Sequence, residues 1–192
     1  MVPFDLFHRC LCLLATAQKL RRERTNDKTS ENKRNGLGLG WGLESKYIKS
    51  AKCGLAKMKN WIGQGNPNLG HYDSLLDAEL AAYEGRTLLA KNYFDTAVIM
   101  ASQGGFIHDC ALFNERYAEF LIHSIPSPQN KSENPSNNSK RMQDAAFRIQ
   151  QSIDLYREWE AYAKAECLER QYSNTLTECF PQRQDEPLAE TL

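Results

Sequence analysis

Long apolar runs are missing from this 192-residue sequence. The longest run near its start, residues 10–17, falls well short of the roughly 20 apolar residues that a bilayer-spanning helix needs. We therefore expect no membrane partner. An excess of one charge is missing as well, because 24 basic residues face 24 acidic ones. Electrostatics thus gives no reason to expect a nucleic-acid partner.

Cysteine is too scarce for a disulfide-built domain, since only six occur in 192 residues. Cys110 and Cys167 lie in apolar, alanine-containing text, and we interpret them as reduced core residues of a cytoplasmic protein. His8, Cys10 and Cys12 could form part of a metal site, but no second ligand pair follows at zinc-finger spacing. The sequence therefore predicts neither a metal nor a cofactor.

A secretory signal is an alternative interpretation of residues 1–17. Arg9 precedes a short apolar stretch, and residues 15–17 have the small-x-small form of a cleavage site. Asp5 interrupts the first apolar residues, which argues against this alternative. The glycosylation sequons at Asn130 and Asn137 would matter only in a secreted protein.

Runs of β-branched residues are also rare, and from residue 44 onward apolar residues recur every three or four positions. This periodicity predicts an all-α fold. Glycine and proline divide the pattern into six helices, with short turns that favour antiparallel neighbours. The predicted helices are 44–63, 71–84, 87–103, 106–123, 140–159 and 161–173.

Three segments are too polar to bury much apolar surface. We predict that residues 1–43 are disordered, that residues 44–173 form a helical-repeat domain, and that residues 174–192 are a flexible tail. A Pro/Ser/Asn-rich stretch, 124–139, is predicted as a disordered insertion in that domain. The glycines near residue 40 are interpreted as linker, because no strand precedes them and no Gly-Lys-Ser/Thr follows.

An internal repeat is indicated by Gly85 followed by the small-large-small face Ala90, Phe94 and Ala97, with Ala78 in the preceding helix. Small residues allow two helices to approach closely, which is the packing of tetratricopeptide-type helical hairpins. A shift of 55 residues maps this face onto a second helix. The positions 90, 94, 97, 98 and 101 become Ala145, Ile149, Ser152, Ile153 and Tyr156. A generic amphipathic helix would match some of these positions by chance.

Residues 61–172 carry a further ordered series of motifs. It comprises Trp61, Asn66-Pro67-Asn68, His71, Ala78-Glu79, Gly85, Tyr93-Phe94-Asp95, Ala97-Val98, Ala101, Gly105-Phe106, Ala111-Leu112, Asn114-Glu115, Ala118, Phe120, Tyr156, Trp159, Ala161, Ala163-Lys164, Leu168-Glu169 and Tyr172. This series resembles the helical-repeat region that follows the P-loop ATPase module in multidomain serine/threonine and histidine sensor kinases. The family typically has Trp-Gly-Ala where this chain has Trp159-Glu160-Ala161, so a glycine turn is not predicted there.

The resemblance implies a tetratricopeptide-like α-solenoid segment that takes part in signal transduction and contacts other domains or proteins. The catalytic motifs of such kinases are missing from this sequence: no Gly-x4-Gly-Lys-Ser/Thr, His-Arg-Asp loop or phosphoacceptor-histidine module occurs. Kinase and ATPase activity are therefore not expected of these residues.

Few residues are candidates for chemistry. The four histidines are scattered, and His108-Asp109 are adjacent on a helix, which we expect to turn them away from each other. Glu79 and Glu115 recur in successive hairpins and are interpreted as paired, hairpin-stabilising carboxylates, with a peptide-binding groove as the alternative. Trp61 and Trp159 are predicted to pack under neighbouring helices.

The leading hypothesis is a non-catalytic helical-repeat scaffold or relay segment of a multidomain signalling kinase. The alternative is a free-standing tetratricopeptide-like adaptor that binds a peptide or helix of a partner protein. A small enzyme is a third hypothesis, and it would require polar side chains that converge in one pocket.

Overall fold

The computed structural model describes residues 3–27, 37–124 and 135–180, and within these ranges all regular secondary structure is helical. The predicted all-α class is confirmed. The helices are α1 (Pro3–Asp27), α2 (Leu37–Gly63), α3 (Gly70–Tyr83), α4 (Thr87–Gln103), α5 (Ile107–His123), α6 (Pro135–Glu158), α7 (Tyr162–Gln171) and α8 (Ser173–Cys179). A short 3₁₀ turn, Pro67–Leu69, precedes α3.

The chain divides into two compact units, residues 1–100 and residues 101–192. In the first unit α1 packs along α2 and against α3. The buried face of α1 has the three- and four-residue spacing of an amphipathic helix. It consists of Leu6, Phe7, Cys10, Leu11, Leu14 and Ala17. The Phe7 ring lies 4.3 Å from the ring of Tyr72 in α3, measured between centroids.

Helices α1 and α2 approach most closely at Gly54. A Cβ atom at this position would lie 2.2 Å from the Sγ of Cys10, so any larger residue would force the neighbouring side chain to move. The Cys10 thiol also lies 3.8 Å from the carbonyl oxygen of Ala51. Burial raises the pKa of this thiol, which keeps it in the neutral form.

The N-terminal segment differs from its prediction. Residues 1–43 were predicted to lack regular structure, whereas α1 fills residues 3–27 and α2 begins at Leu37. The polar composition of residues 21–42 dominated that prediction, while the apolar stripe of α1 gains its stability from tertiary packing. Residues 28–36 of the segment predicted to be disordered lie outside the described residues.

The second unit is built on α5 and α6, which pack along each other, with α7 and α8 against α6. Its core cluster combines small and large side chains from α5, α6 and α7. The cluster comprises Ala111, Ala118, Ile149, Ile153, Tyr156, Ala165 and Leu168. The buried hydroxyl of Ser152 donates a hydrogen bond of 2.9 Å to the carbonyl oxygen of Ala111, which compensates for its burial.

The bounds of α4 agree with the predicted 87–103, and those of α3, α5 and α7 agree to within about two residues. Helix α6 begins at Pro135, so the last residues of the predicted insertion 124–139 are helical. The predicted loose tail contains α8. Residues 125–134 and 181–192 lie outside the described residues. Cys110 is buried as predicted, but Cys167 is exposed, because it lies on the outer face of α7.

Four helices end in the same way. At the ends of α2, α3, α4 and α6, the residue two positions beyond the last helical residue is left-handed. The next N–H then donates a hydrogen bond to the carbonyl five residues earlier, which is the Schellman arrangement. These bonds join Asn66 to Trp61, Arg86 to Ala81, Phe106 to Ala101 and Ala161 to Tyr156, at 3.3, 2.9, 3.0 and 2.8 Å.

The left-handed residues are Gly65, Gly85, Gly105 and Glu160, with φ values of 95°, 77°, 70° and 61°. Among the described residues Glu160 is the one non-glycine residue with positive φ. The tight turn therefore forms between α6 and α7 although its glycine is missing, which corrects the expectation for Trp159-Glu160-Ala161.

Replacing Glu160 with glycine is expected to stabilise the second unit by about 1 kcal/mol, because a left-handed backbone costs an L-residue about 1–2 kcal/mol. Thermal and urea unfolding of the two proteins measure this difference. The matched control is Gly105→Ala, where a new Cβ would meet no atom within 4 Å. This control should lose stability for the backbone reason alone, and a neutral result for both variants would contradict the assignment of strain.

Candidate functional site

Three of the sequence-predicted residues converge between α5, α6 and α7. The Tyr156 hydroxyl donates a hydrogen bond of 3.1 Å to Oε2 of Glu115, and the Lys164 ammonium donates one of 2.8 Å to Oε1 of the same carboxylate. The Lys164 Nζ also lies 5.7 Å from the centroid of the Tyr156 ring. Both carboxylate oxygens are thus paired, which stabilises a half-buried charge and ties the three helices together.

Tyr156 remains neutral in this cluster. Burial, followed by the neighbouring Glu115 carboxylate, raises the pKa of its hydroxyl far above the ordinary value. A phenol with this raised pKa keeps its proton near neutral pH, so it donates a hydrogen bond to Glu115 and does not act as a base. The geometry therefore suits a structural connection between helices.

Tyr172 is a second tyrosine that is affected by the Glu115 carboxylate. Burial and the carboxylates of Glu119 and Glu115 raise the pKa of Tyr172 to about 12. The ordinary tyrosine value is about 10. The folded state therefore holds the Tyr172 proton more tightly than the unfolded state does, and the stability that this difference contributes is lost as the pH rises from about 10 to about 12.

We expect the Tyr172→Phe variant to lack this alkaline loss. The stability of the wild-type protein relative to the variant should fall between pH 10 and pH 12. Chemical unfolding at several pH values measures the difference. A difference that stays constant over this range would mean that Tyr172 titrates normally.

Trp159 lies at the turn between α6 and α7, and its position corrects a prediction. It was predicted to pack under neighbouring helices, but 52% of its surface is exposed, because it occupies the cap position of the Schellman turn. The His108 ring lies 5.2 Å from the Trp159 ring, centroid to centroid. Tyr162, the first residue of α7, is 59% exposed. The turn therefore presents two aromatic side chains to solvent.

His108 and Asp109 also differ from expectation. Although they are adjacent on α5, the His108 Nε2 lies 3.4 Å from Oδ1 of the buried Asp109. The expectation concerned the directions of the Cα–Cβ bonds, whereas the imidazole extends beyond its Cβ far enough to reach the neighbouring carboxylate. Burial raises the pKa of the next residue, Cys110, and so disfavours a thiolate nucleophile there.

In the first unit Glu79 is a buried carboxylate that is paired across helices. Its Oε2 accepts a hydrogen bond of 2.8 Å from the Gln18 amide, which also donates to the Glu79 carbonyl oxygen at 3.0 Å. Ala78 beside it is fully buried. These contacts hold α3 against α1. They also leave the Glu79 carboxylate buried, where a ligand in solvent cannot reach it.

The motif around Trp61 forms the turn between α2 and α3. The Asn66 side-chain amide donates a hydrogen bond of 3.0 Å to the Trp61 carbonyl oxygen, and Pro67 begins the 3₁₀ turn. Trp61 is half-buried. On α4 the predicted face Ala90, Phe94 and Ala97 is fully buried, and Gly85 lies in the preceding turn. These residues thus serve turns and packing.

Sequence reasoning missed an open cavity of about 340 Å³ in the first unit, lined by Arg21, Arg24, Glu44, Ser45, Ile48 and Tyr83. Arg24 and the Tyr83 hydroxyl both donate to the buried Glu44 carboxylate, the hydroxyl at 2.7 Å. The Arg21 guanidinium lies 5.0 Å from the Tyr83 ring centroid. Burial and then Glu44 raise the pKa of Tyr83.

No sequence signal joined these residues, because Arg21 and Arg24 lie in the segment 1–43 that was predicted to be disordered, and Tyr83 lies about 60 positions away. An ordered α1 was needed to bring them together. The cavity is open to solvent. The hydrogen bonds among its lining residues connect α1, α2 and α3 through the Glu44 carboxylate.

Within residues 3–27, 37–124 and 135–180, no group of three or more His, Cys, Asp or Glu side chains is arranged to hold a metal ion. None of the helices described has both the length and the apolar character needed to cross a membrane.

Comparison with known proteins adds no relative. No protein-family model matches the chain, and neither a curated protein nor a solved structure matches it significantly.

Proposed function

We propose that this chain is a non-catalytic, tetratricopeptide-like helical-repeat segment of a multidomain signal-transduction kinase, where it scaffolds or relays between domains. The family resemblance over residues 61–172 supplies the proposal, and the internal correspondence between two helix-turn-helix segments supports it. Kinase or ATPase activity would belong to other modules.

The observation that carries the proposal is the correspondence at a shift of 55 residues. Positions 90, 94, 97 and 101 of α4 correspond to 145, 149, 152 and 156 of α6, and all eight are at most 6% exposed. The fifth pair differs, because Val98 is half-buried whereas Ile153 is fully buried. The left-handed Gly105 corresponds to the left-handed Glu160. Both segments thus pair the same helix face with the same turn.

The correspondence continues into the following helices. Helix α5 begins at Ile107 and α7 at Tyr162, which again differ by 55. Cys110 and Phe113 of α5 are buried, as are Ala165 and Leu168 at the shifted positions of α7. Agreement of turn, helix start and buried face along two consecutive helices favours duplication over a chance match between amphipathic helices.

The motif residues fit packing roles. Glu115, Tyr156 and Lys164 belong to the resemblance and form one hydrogen-bonded cluster. Catalysis would require a reactive group held ready at a pocket, whereas both oxygens of this carboxylate are occupied. The cluster is therefore in keeping with a structural role, in which it holds α5, α6 and α7 together.

The test is the reading frame that surrounds this coding sequence. The proposal predicts a P-loop ATPase module upstream and a sensor or histidine-kinase module downstream in one continuous transcript. A transcript that codes for no ATPase or kinase module would contradict the kinase assignment and would favour the adaptor.

The adaptor is the second candidate, and the exposure of Trp159 and Tyr162 favours it. Aromatic side chains at a surface are typical of protein-binding sites. An adaptor should be folded and monomeric as a purified chain. A kinase segment should fold incompletely or aggregate until flanking domains are added. Size-exclusion chromatography and far-ultraviolet circular dichroism distinguish the two.

A further inference from the structure

The turn between α6 and α7 combines exposed aromatic rings with exposed carboxylates. Glu158, Glu160 and Glu166 are all exposed, and Trp159 and Tyr162 lie among them in the chain. Tyr162 and Glu166 are four residues apart on α7 and therefore share a helix face. We call these five residues the α6–α7 surface.

Two of the three basic residues around this surface form ion pairs with other carboxylates. Arg157 pairs with Glu169 at 2.6 Å, and Lys164 pairs with Glu115 at 2.8 Å. Within the described residues, none of the carboxylates of Glu158, Glu160 and Glu166 accepts a hydrogen bond or forms an ion pair. Arg170, one turn beyond Glu166 on α7, is exposed and donates a hydrogen bond of 3.4 Å from Nε to the Glu166 carbonyl oxygen, so this cation lies near Glu166. The α6–α7 surface therefore carries the unpaired carboxylates of Glu158 and Glu160 beside two aromatic rings.

We propose that the α6–α7 surface binds a basic segment of a partner protein, with a lysine or arginine side chain over the Trp159 ring. A cation is attracted to the face of an indole and to the flanking carboxylates at the same time. This inference rests on the proposed protein-binding function and specifies the chemistry of the partner.

Other occupants fit less well. An apolar helix would bury the carboxylates without partners, and leaving a charge buried and unpaired is costly. A nucleic acid would be repelled, because its phosphates carry the same sign of charge as the surface. The His108 ring packs against Trp159 and restricts its motion, so little side-chain entropy remains to be lost when a ligand binds.

The experiment measures binding of a fluorescein-labelled peptide of alternating arginine, lysine and glycine to the purified chain by anisotropy. The comparison peptide has glutamate in place of every basic residue. We expect the basic peptide to bind, the acidic peptide not to bind, and the affinity to fall as salt is raised.

Variants locate the site. Trp159→Ala should weaken binding at least about tenfold, as truncation of a central aromatic contact does. Trp159→Phe should retain part of the affinity, because it keeps a ring. The matched control is Phe147→Ala, since Phe147 is also 52% exposed in the same unit, and it should leave binding unchanged.

Two charge variants distinguish binding at the α6–α7 surface from general electrostatic attraction of the peptide to the protein. Glu158→Gln should weaken binding about threefold, whereas Glu178→Gln, which removes an exposed carboxylate from α8, should have no effect. Circular dichroism of every variant shows whether it is folded. If Trp159→Ala is unfolded, Glu158→Lys provides the same test without removing a ring.

Equal binding by the wild-type protein and a folded Trp159→Ala variant, or equal binding of the acidic peptide, would overturn the inference. That outcome would leave the proposed function intact, because the surrounding reading frame tests it separately. A reading frame without kinase modules, together with specific binding of the basic peptide, would instead favour the adaptor and keep the inference.

Discussion

Replacing Ala97 with arginine is expected to unfold the first unit or to destabilise it by more than about 3 kcal/mol, because an unpaired charge would be placed in a fully buried position. Ala97 is the small residue at the centre of the buried face of α4. Arginine there would also exceed the available volume, which adds the cost of overpacking. Far-ultraviolet circular dichroism and thermal melting measure the loss.

The matched control is Thr96→Arg. Thr96 is the preceding residue on the same helix, and it is exposed. Arginine has a better helix propensity than threonine, so this control should melt within a few degrees of the wild-type protein. Unchanged melting of Ala97→Arg would contradict the assignment of this helix face to close packing.

The second large effect is expected for Phe7→Ala, which should cost about 3–5 kcal/mol, the usual range for truncating a fully buried phenylalanine. Phe7 is completely buried and contacts Tyr72 across to α3. Its loss would open a cavity between α1 and the rest of the first unit. Urea unfolding measures the difference in free energy.

Phe4→Ala is the control, since Phe4 lies one turn earlier on α1 and is 48% exposed. It should change the free energy of unfolding by less than about 1 kcal/mol. Equal, small effects of the two substitutions would mean that α1 does not belong to the folded unit, as its sequence composition had suggested.

The bounds of a helix were predicted best from the sequence where they depend on residues within or next to that helix. Helix α4 has the bounds expected from its apolar spacing and from the glycines at both ends. The missed helix α1 shows the limit. Its polar residues made the segment resemble a linker, while its stability depends on Gly54 and on apolar partners in α2 and α3, more than 40 positions away.

In the candidate site, too, the sequence identified individual residues but not the contacts that depend on helix packing. The sequence selected Glu115, Tyr156 and Lys164, but it could not show that they form one cluster, because that depends on how three helices pack. It also placed Trp159 in the interior. The exposed ring follows from the turn at Glu160, and a left-handed glutamate cannot be recognised without the backbone.

We propose, as the central point, that the segment from α4 through its turn and the segment from α6 through its turn are copies of one sequence pattern. The three-bond coupling between the amide proton and the Hα proton reports the backbone φ angle, and so tests this proposal most directly at the residue after each helix. We predict left-handed φ values at both Gly105 and Glu160. A negative φ at Glu160 would contradict the proposal, even if both helices were present.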